Sequence, residues 1–302
     1  GYDVIDPLGD LDPHRLAMLW RNHRGEEKRL TFSDLKTLSN QAANLLRSHG
    51  LQKGDVVMTA LRTHWSYWIV ALAAHKLGLL LAPVYYRLTA EDFRYRMEKA
   101  KVRCVVTCRE EPAAENIWAA AERAQVPLRF ALGPGEDGFL DLLAALPQQP
   151  DTLDRVPTLA TDPLLLYFTS GTTGLPKGVL VSHRSVLDFI DVFTDTFSFT
   201  QTDRIGNQAP FDFDVSVKDI YGALKAQATL VMIPRRLFSR PKELLDFLCE
   251  HKVTTLIWAV SALCLISTFH GLDYRTPDTV NKVLFSGEVM PLKHLKTWMD
   301  HL

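Results

Sequence analysis

The sequence predicts an α/β fold made of two related, doubly wound lobes of mostly parallel sheet covered by helices. The first observation is that apolar runs of strand length alternate with helical patterns through most of the 302 residues. Such βα repetition implies parallel strands that are covered on both faces. The second is a looser stretch, residues 133–162, which carries prolines, glycines and acidic residues around one short apolar helix. Because it interrupts the alternation, we predict one lobe over about residues 1–158 and another over about 159–302.

In the first half, helix-start signals and apolar runs predict the elements in order. Thr31 and Asp34 form a capping-box pattern, and Gly50 ends the helix that follows. Thr89 and Asp92 repeat this pattern before a later helix. The other elements are strands over 55–61, up to residue 84, over 102–107 and near residue 130, a helix over 65–77, and an alanine-rich helix.

In the second half, short apolar runs predict six strands with helices between them. A helix begins at His183, and another begins near Ser216. The six strands are expected over 164–169, 178–182, 204–209, 229–233, 254–258 and 282–285.

Composition excludes several classes of protein. The chain has 34 basic and 35 acidic residues and a net charge of −1, which excludes a strong electrostatic attraction to nucleic acid or anionic membranes. A hydrophobic fraction of 47% excludes wholesale disorder. The longest apolar run, residues 68–84, is interrupted by His75 and Lys76, so no membrane span is predicted.

The four cysteines indicate reduced thiols. Cys104 and Cys108 share one predicted strand, where four residue steps separate them by roughly 13 Å. A disulfide requires their Cα atoms within about 7 Å, so we expect buried structural thiols. No basic-then-apolar stretch opens the chain. We therefore expect a cytoplasmic protein.

Residues 164–183 carry the strongest chemical signal. An apolar strand runs up to Thr169, a loop of glycines and hydroxyl residues follows, and Lys177 leads into a second strand. Glycines permit close backbone approach, hydroxyls donate hydrogen bonds and the lysine adds positive charge, which together suit a phosphate group. The loop is not a Walker loop, because Lys177 follows Pro176 and precedes Gly178. The alternative interpretation is a plain β-hairpin turn.

The run S-G-T-T-G-L-P-K-G over residues 170–178 resembles the phosphate loop of adenylate-forming enzymes. This family includes acyl-CoA ligases, luciferases and the amino-acid adenylation domains of nonribosomal peptide synthetases. Further motifs that resemble the family occur in the expected order, at residues 31–35, 51–57, 211–216 and 285–288. The resemblance covers essentially the whole chain. It implies that the protein uses ATP and Mg²⁺.

The resemblance also implies roles for individual residues. Lys177 and Thr172 are the expected catalytic residues. The β- and γ-phosphates of ATP are expected to bind Thr169, Ser170, Gly171, Thr172, Thr173, Gly174 and Lys177. The backbone at Gly287 and Glu288 is expected beside the adenine, although Glu288 is equally consistent with a solvated loop acid. The amino-acid pocket is expected to involve Phe211, Asp214, Val215, Lys218, Trp258, Leu284 and Ser286.

Asp214 and Lys218 bear on the substrate. Members that activate α-amino acids place an aspartate where Asp214 stands, and it holds the substrate ammonium group; the alternative is that Asp214 caps the helix beginning near Ser216. Lys218 matches a position where some glutamate-activating domains carry a lysine, or it simply extends to solvent. Trp258 is expected in the core or the pocket wall.

Together these features predict ATP-dependent activation of an amino acid and its transfer to the phosphopantetheine thiol of a carrier protein. Residues 211–221 and 285–291 look similar to D-alanine–carrier protein ligases. Residues 83–87, however, depart from the turn usual in peptide-synthetase domains, and residues 88–91 resemble acyl-CoA ligases. An acyl- or aryl-CoA ligase is therefore one alternative, and a non-catalytic module that binds a nucleotide or an amino acid is another. By resemblance the chain is an incomplete large N-terminal domain without the small C-terminal domain, and we expect it to be inactive alone.

Overall fold

The computed structural model describes residues 3–108, 114–134, 138–169 and 174–302. The chain divides into two compact units. The first unit comprises Gly1–Pro13, Phe32–Phe189 and Phe211–Asp214, and the second comprises His14–Thr31, Ile190–Pro210 and Val215–Leu302. The units therefore differ from the sequence-based lobes: residues 159–189 fall in the first unit and residues 14–31 in the second.

The described residues form thirteen strands. In chain order they are β1 Leu16–Arg21, β2 Glu27–Thr31, β3 Val56–Ala60, β4 Leu80–Pro83, β5 Val102–Cys108, β6 Leu128–Leu132, β7 Leu140–Asp141, β8 Pro163–Thr169, β9 Lys177–Ser182, β10 Arg204–Asn207, β11 Thr229–Met232, β12 Thr255–Ile257 and β13 Lys282–Leu284.

Twelve α-helices lie among the described residues. They are α1 Ile5–Leu11, α2 Phe32–Ser48, α3 Ser66–Leu77, α4 Ala90–Lys99, α5 Ala114–Arg123, α6 Leu142–Ala145, α7 His183–Thr196, α8 Ser216–Lys225, α9 Pro241–Glu250, α10 Val260–Thr268, α11 Gly271–Tyr274 and α12 Leu292–His301. Two short 3₁₀ helices cover Leu146–Gln148 and Arg235–Ser239. The capping pattern at the start of α4 is confirmed, since the Thr89 hydroxyl accepts a hydrogen bond from the backbone N–H of Asp92.

In the first unit, seven strands form a sheet in the order β7-β6-β5-β3-β4-β8-β9. All neighbours are parallel except β8 and β9, which form an antiparallel hairpin at the edge. In the second unit, six strands follow the order β13-β12-β10-β11-β1-β2, again parallel except for one edge hairpin, β1–β2. The predicted fold class is confirmed: mostly parallel sheets flanked by helices.

Each unit has its own apolar core. In the first unit, side chains of β3 and β5 pack with α4 and α5 around Met58 and Phe93. In the second unit, β1, β11 and β12 and helices α9, α10 and α12 enclose Leu245, Leu256 and Trp258. Full burial of one such side chain stabilises the folded state by roughly 1.5–3 kcal/mol. Each cluster therefore holds the strands of its sheet in place.

Two further expectations concern the membrane and the thiols. Within the described ranges, no helix is long and apolar enough to cross a membrane. All four cysteines are free thiols; Cys104 is buried, whereas Cys108, Cys249 and Cys264 are partly exposed. Burial raises the pKa of the Cys104 thiol well above its usual range, so this thiol is unreactive.

Candidate active site

The β8–β9 hairpin carries the predicted phosphate loop. Leu164–Tyr167 are buried in the sheet, and the pair Thr169–Lys177 closes the ladder at the exposed end. The Thr169 hydroxyl donates to the Lys177 carbonyl oxygen at 3.3 Å. The structure therefore brings these two predicted residues together on neighbouring strands. Four other predicted phosphate-loop residues, Ser170, Gly171, Thr172 and Thr173, lie outside the described residues.

Two glycines allow the backbone conformation and the close packing of this hairpin. Gly174 has a φ of +116°, a conformation that side-chain-bearing residues rarely adopt. A Cβ added at Gly178 would lie 2.9 Å from the Leu166 Cδ1 atom, so a larger residue there would displace the end of the Leu166 side chain. Lys177 itself is exposed, which leaves its ammonium group accessible to an anion.

Helix α4 supports the hairpin, which the sequence did not indicate. The Tyr95 hydroxyl donates to the Pro176 carbonyl oxygen at 3.2 Å. The guanidinium of the buried Arg96 lies 5.6 Å from the centre of the Phe168 ring, within the range of a cation–π interaction. Thus α4 contacts the strand before the loop and the residue that precedes Lys177. The sequence alone does not indicate these contacts, because Tyr95 and Arg96 look like ordinary helix-surface residues.

The segment Phe211–Asp214 combines a buried aromatic and an exposed acid. Phe211 is buried and stacks on Tyr67 of α3, with ring centres 4.4 Å apart. Asp214 is exposed and lies two residues before α8. The cap position of α8 is Val215, whose side chain makes no cap hydrogen bond, and not Asp214, so the capping interpretation of Asp214 is wrong. The carboxylate of Asp214 is therefore left available for a ligand.

In the second unit, Trp258 directly follows β12, and Leu284 is the last residue of the neighbouring parallel strand β13. The Trp258 backbone N–H donates to the Leu284 carbonyl oxygen at 2.9 Å. The Trp258 indole N–H donates to the Gly206 carbonyl oxygen at 2.8 Å, and its ring packs edge-on against Phe238. With 2% of its surface exposed, Trp258 forms a fixed wall at the carboxyl edge of this sheet.

Lys218 and Ser286 meet at the same edge. The Lys218 ammonium donates to the Ser286 hydroxyl oxygen at 3.0 Å. Lys218 comes from the first turn of α8, whereas Ser286 follows β13. Val215 and Lys218 are half-buried, so the amino end of α8 is partly enclosed.

Gly287 and Glu288 form an exposed turn beyond β13. Gly287 has a φ of +90°, which favours glycine, and no atom of the described chain lies within 4 Å of an added Cβ there. Glu288 is exposed, and its charge contributes, after burial, to raising the pKa of the Cys264 thiol. Both the adenine role and the solvated-acid interpretation remain predictions.

One buried acid in this region was missed by sequence reasoning. Asp219 lies on the buried face of α8, where its Oδ2 accepts a 2.7 Å hydrogen bond from the Asn207 side-chain amide. Burial raises the pKa of Asp219 to about 8, although hydrogen bonds from Asn207 and the Gln208 backbone and the charge of Lys218 act against it. The carboxyl group therefore carries a proton at neutral pH. The only sequence signal was an acid among Val217 and Ile220, in the helix that follows the 211–216 motif.

Metal ligands do not cluster in the described part of the chain. No group of three or more histidine, cysteine, aspartate or glutamate side chains there could hold an ion. No described residue is therefore assigned to Mg²⁺.

Comparison with known proteins identifies the class. Solved structures of adenylate-forming enzymes share the fold. One is ATP-bound MatB from Rhodopseudomonas palustris, with a TM-score of 0.83 at 22% identity; the match covers 99% of this chain and 57% of that one. The anthranilate CoA ligase AuaEII with anthranoyl-AMP gives a TM-score of 0.88 at 18% identity, with the same coverage. The family model for AMP-binding enzymes matches residues 10–302, so the chain belongs to the AMP-binding enzyme family.

Curated relatives fall in two branches. An L-proline–[L-prolyl-carrier protein] ligase of Pseudomonas fluorescens is 31% identical over 281 residues, which are 90% of this chain and 53% of the relative. The mitochondrial acyl-coenzyme A synthetase ACSM5 of Mus musculus is also 31% identical, over 84% of this chain and 45% of its own length. The chain thus spans about half the length of these two relatives. Similarity alone leaves the substrate class open.

Proposed function

We propose that this chain belongs to a ligase that activates the carboxylate of an amino acid as an aminoacyl-adenylate and passes it to a carrier protein. Membership of the AMP-binding family supports ATP as the activating substrate. The observation that carries the amino-acid assignment is Asp214, whose exposed carboxylate is not engaged as a helix cap. A relative that charges a carrier protein with proline supports the same branch.

The proposed reaction has two steps. A carboxylate oxygen of the substrate bonds to the α-phosphorus of ATP, and the bond to the β-phosphate oxygen breaks to release pyrophosphate. A phosphopantetheine thiol then loses its proton and bonds to the acyl carbon, and AMP leaves. The first step needs no general acid or base at the phosphorus, so its catalysis rests on positioning and charge neutralisation.

The phosphate groups are proposed to bind the β8–β9 hairpin. Thr169 and the loop 170–174 supply backbone and hydroxyl donors, whereas Lys177 supplies a positive charge opposite the leaving pyrophosphate. Thr172 is proposed to share that role. Mg²⁺ is expected to accompany ATP, and no described residue is assigned to it.

Asp214 is proposed to bind the substrate ammonium group. Two unit charges 4 Å apart attract by roughly 4 kcal/mol at an effective dielectric constant near 20. A substrate without the amine would lose this attraction, so it is expected to react far more slowly. Trp258 and Leu284 are proposed to narrow the side-chain pocket, which favours a small or medium amino acid. Phe211 and Val215 remain predicted residues of that pocket.

An acyl- or aryl-CoA ligase is the second candidate. It is favoured by residues 88–91, which resemble that branch, and by the similarity to acyl-coenzyme A synthetases. Such an enzyme would activate acids that lack the amine. A binding module without turnover is a third candidate, which an activity assay separates from both.

Substrate-dependent pyrophosphate exchange by the full native protein tests these candidates. The panel pairs each amino acid with its desamino analogue: alanine with propionate, glutamate with glutarate, and proline with cyclopentanecarboxylate, with D and L forms compared. Proline is included because one relative is named for it. The proposal expects exchange with an amino acid and far slower exchange with its desamino partner.

Two variants sharpen this assay. Asp214→Ala is expected to lower activity on the amino acid and to reduce the preference for it over the desamino acid. Asp195→Ala, which removes another exposed aspartate on α7, is expected to change neither. Equal activity of the unaltered protein on both partners would move it to the acyl- or aryl-CoA branch, whereas saturable binding without exchange would indicate a binding module.

A further inference from the structure

Asp219 and Asn207 form a fully buried polar pair at the carboxyl edge of the second sheet. Asp219 is 0% exposed and Asn207 is 2% exposed. The Asn207 amide donates both to the Asp219 Oδ2 atom at 2.7 Å and to the Ala209 carbonyl oxygen at 3.1 Å. One side chain therefore ties α8 to the backbone just after β10.

The pair ends the strand earlier than its sequence predicts. The apolar run predicts a strand over 204–209, but β10 ends at Asn207. Because the Asn207 side chain binds the Ala209 carbonyl, the backbone leaves the sheet there. The backbone N–H of Gln208 also faces the Asp219 carboxyl group. Asp219 thus fixes the conformation of residues 207–209.

This conformation reaches the proposed pocket wall. The Gln208 side-chain oxygen accepts a hydrogen bond from the Ala259 backbone N–H at 3.3 Å, directly after Trp258. The Trp258 indole in turn binds the Gly206 carbonyl oxygen, on the other side of Asn207. The neighbour of Asp219 in α8 is Lys218, which binds Ser286. The chain neighbours of the buried pair therefore contact three of the predicted substrate residues: Gly206 binds Trp258, and Lys218, itself predicted, binds Ser286.

Stability alone gives no reason for an acid at this position. Burying a carboxyl group is costly, and well-packed apolar side chains usually serve a core as well or better. The second oxygen, Oδ1, is buried and has no hydrogen-bond partner among the described residues. A group that is expensive to bury and only half satisfied is better explained by what it holds in place.

We propose that Asp219, acting through Asn207 and the Gln208 backbone, is a positioning residue that sets the pocket wall for the carboxylic-acid substrate. This inference rests on the proposed function as far as the site binds a carboxylic acid. It does not depend on whether that acid carries an amine, because the readout is the KM of whichever acid the native protein activates.

Three variants of the full native protein test this role. Asp219→Ala removes the acceptor and is expected to raise the KM for the acid by about tenfold or more, since two buried donors lose their partner. Its KM for ATP is expected to stay within about twofold, because the proposed phosphate-binding residues Thr169 and Lys177 belong to the β8–β9 hairpin of the first unit. Asp219→Asn keeps a neutral group with an acceptor oxygen, so it is expected to restore the KM for the acid.

Asp203→Asn is the matched control. Asp203 is also a buried acid of the second unit, next to the opposite end of β10, where it accepts hydrogen bonds from Thr254, Thr255 and Lys282. This variant is expected to lower the urea midpoint without raising either KM. Amide exchange over residues 204–210 is expected to accelerate in Asp219→Ala and to return to the native rate in Asp219→Asn.

Other results would overturn the proposal. An unchanged KM for the acid in a folded Asp219→Ala protein would leave the residue a purely structural role. An equal rise of KM in Asp203→Asn would show that any destabilised core produces the effect. If Asp219→Ala does not fold, Asn207→Ala removes the donor from the same bond, and the same increase in KM and amide exchange is expected and decides the question.

Discussion

Lys218 and Ser286 lie 68 residues apart and are joined by a hydrogen bond of 3.0 Å from the ammonium group to the hydroxyl oxygen. Both were assigned to the amino-acid pocket on the sequence alone. The bond holds the lysine side chain at the carboxyl end of β13 and gives its charge a defined place. A charge held in this way is suited to select among substrate side chains.

The first prediction concerns Lys218→Met, which removes the charge and keeps the apolar stem. If the ammonium group contacts an acidic substrate side chain, exchange with glutamate falls about 10- to 100-fold, the loss expected for a hydrogen bond to a charged group. Exchange with neutral amino acids stays near the native rate. Lys225→Met is the control, because Lys225 lies in the last turn of α8 and pairs with Asp191 instead. An equal loss on acidic and neutral substrates would exclude side-chain selection by Lys218.

The second prediction concerns Lys177→Ala in the phosphate hairpin. Its charge is expected to act on the leaving pyrophosphate, so kcat should fall by roughly 10²–10³, as for the loss of one preorganised group at a developing charge. The KM for the amino acid should change little. Lys296→Ala, which removes an exposed lysine of α12, is the control and should leave kcat unchanged. A weaker amino-acid affinity with unchanged kcat would instead place Lys177 in the substrate pocket.

The fold was largely predictable because its signals are local. Apolar runs gave most of the parallel strands to within one or two residues, although they missed the two-residue strand β7, and the Thr89 cap placed the start of α4. The β1–β2 hairpin was not predicted. Its place in the second sheet depends on pairing with β11, for example Leu19 with Val231, and nothing near β1 in sequence specifies so distant a partner.

Residues of the candidate site that belong to a sequence motif could be predicted, whereas charged residues that the fold buries could not. The hairpin residues Thr169 and Lys177 came from a run of glycines, hydroxyls and a lysine. Asp219 and Lys76 are charged residue types that the fold buries completely, with 0% of each exposed. Sequence patterns assign such residues to the surface, because their partners, Asn207 and Asp6, come from other segments of the chain.

The third prediction follows from that buried lysine. The Lys76 ammonium binds Asp6 of α1 at 2.5 Å and Asn40 of α2 at 2.7 Å. Lys76→Met leaves a mostly buried carboxylate without its partner, so the free energy of unfolding should fall by about 3 kcal/mol in urea titrations.

A lysine of α2 that also pairs with α1 provides the control. Lys36 also binds an α1 aspartate, Asp10, at 2.5 Å, but 66% of the Asp10 side chain is exposed. Exposed pairs contribute less than about 1 kcal/mol, so Lys36→Met should have little effect. Equal losses of unfolding free energy in the two variants would contradict the idea that burial determines how much each ion pair contributes to stability.

The fourth prediction concerns the pH dependence of stability through His64. Its Nδ1 atom accepts a hydrogen bond from the Ser66 backbone N–H at 3.2 Å and lies 2.8 Å from the Ser66 hydroxyl oxygen, at the start of α3. Burial lowers the pKa of His64 from 6.5 to about 4. The unfolded chain therefore binds a proton between these values that the folded chain excludes. Stability from this residue is complete above pH 6.5 and is lost as the pH falls towards 4, by about 3 kcal/mol in all.

The variant His64→Asn isolates this contribution. Asparagine offers a side-chain acceptor for the Ser66 N–H but does not titrate. Burial also lowers the pKa of His75, His183 and His251, so the native protein loses stability in acid for several reasons at once. Subtracting the unfolding free energy of the variant from that of the native chain at each pH removes the shared part. This difference should fall steadily from pH 7 to pH 4 and level off below. A difference that stays constant over this range would mean that His64 is protonated as easily in the folded chain as in the unfolded one.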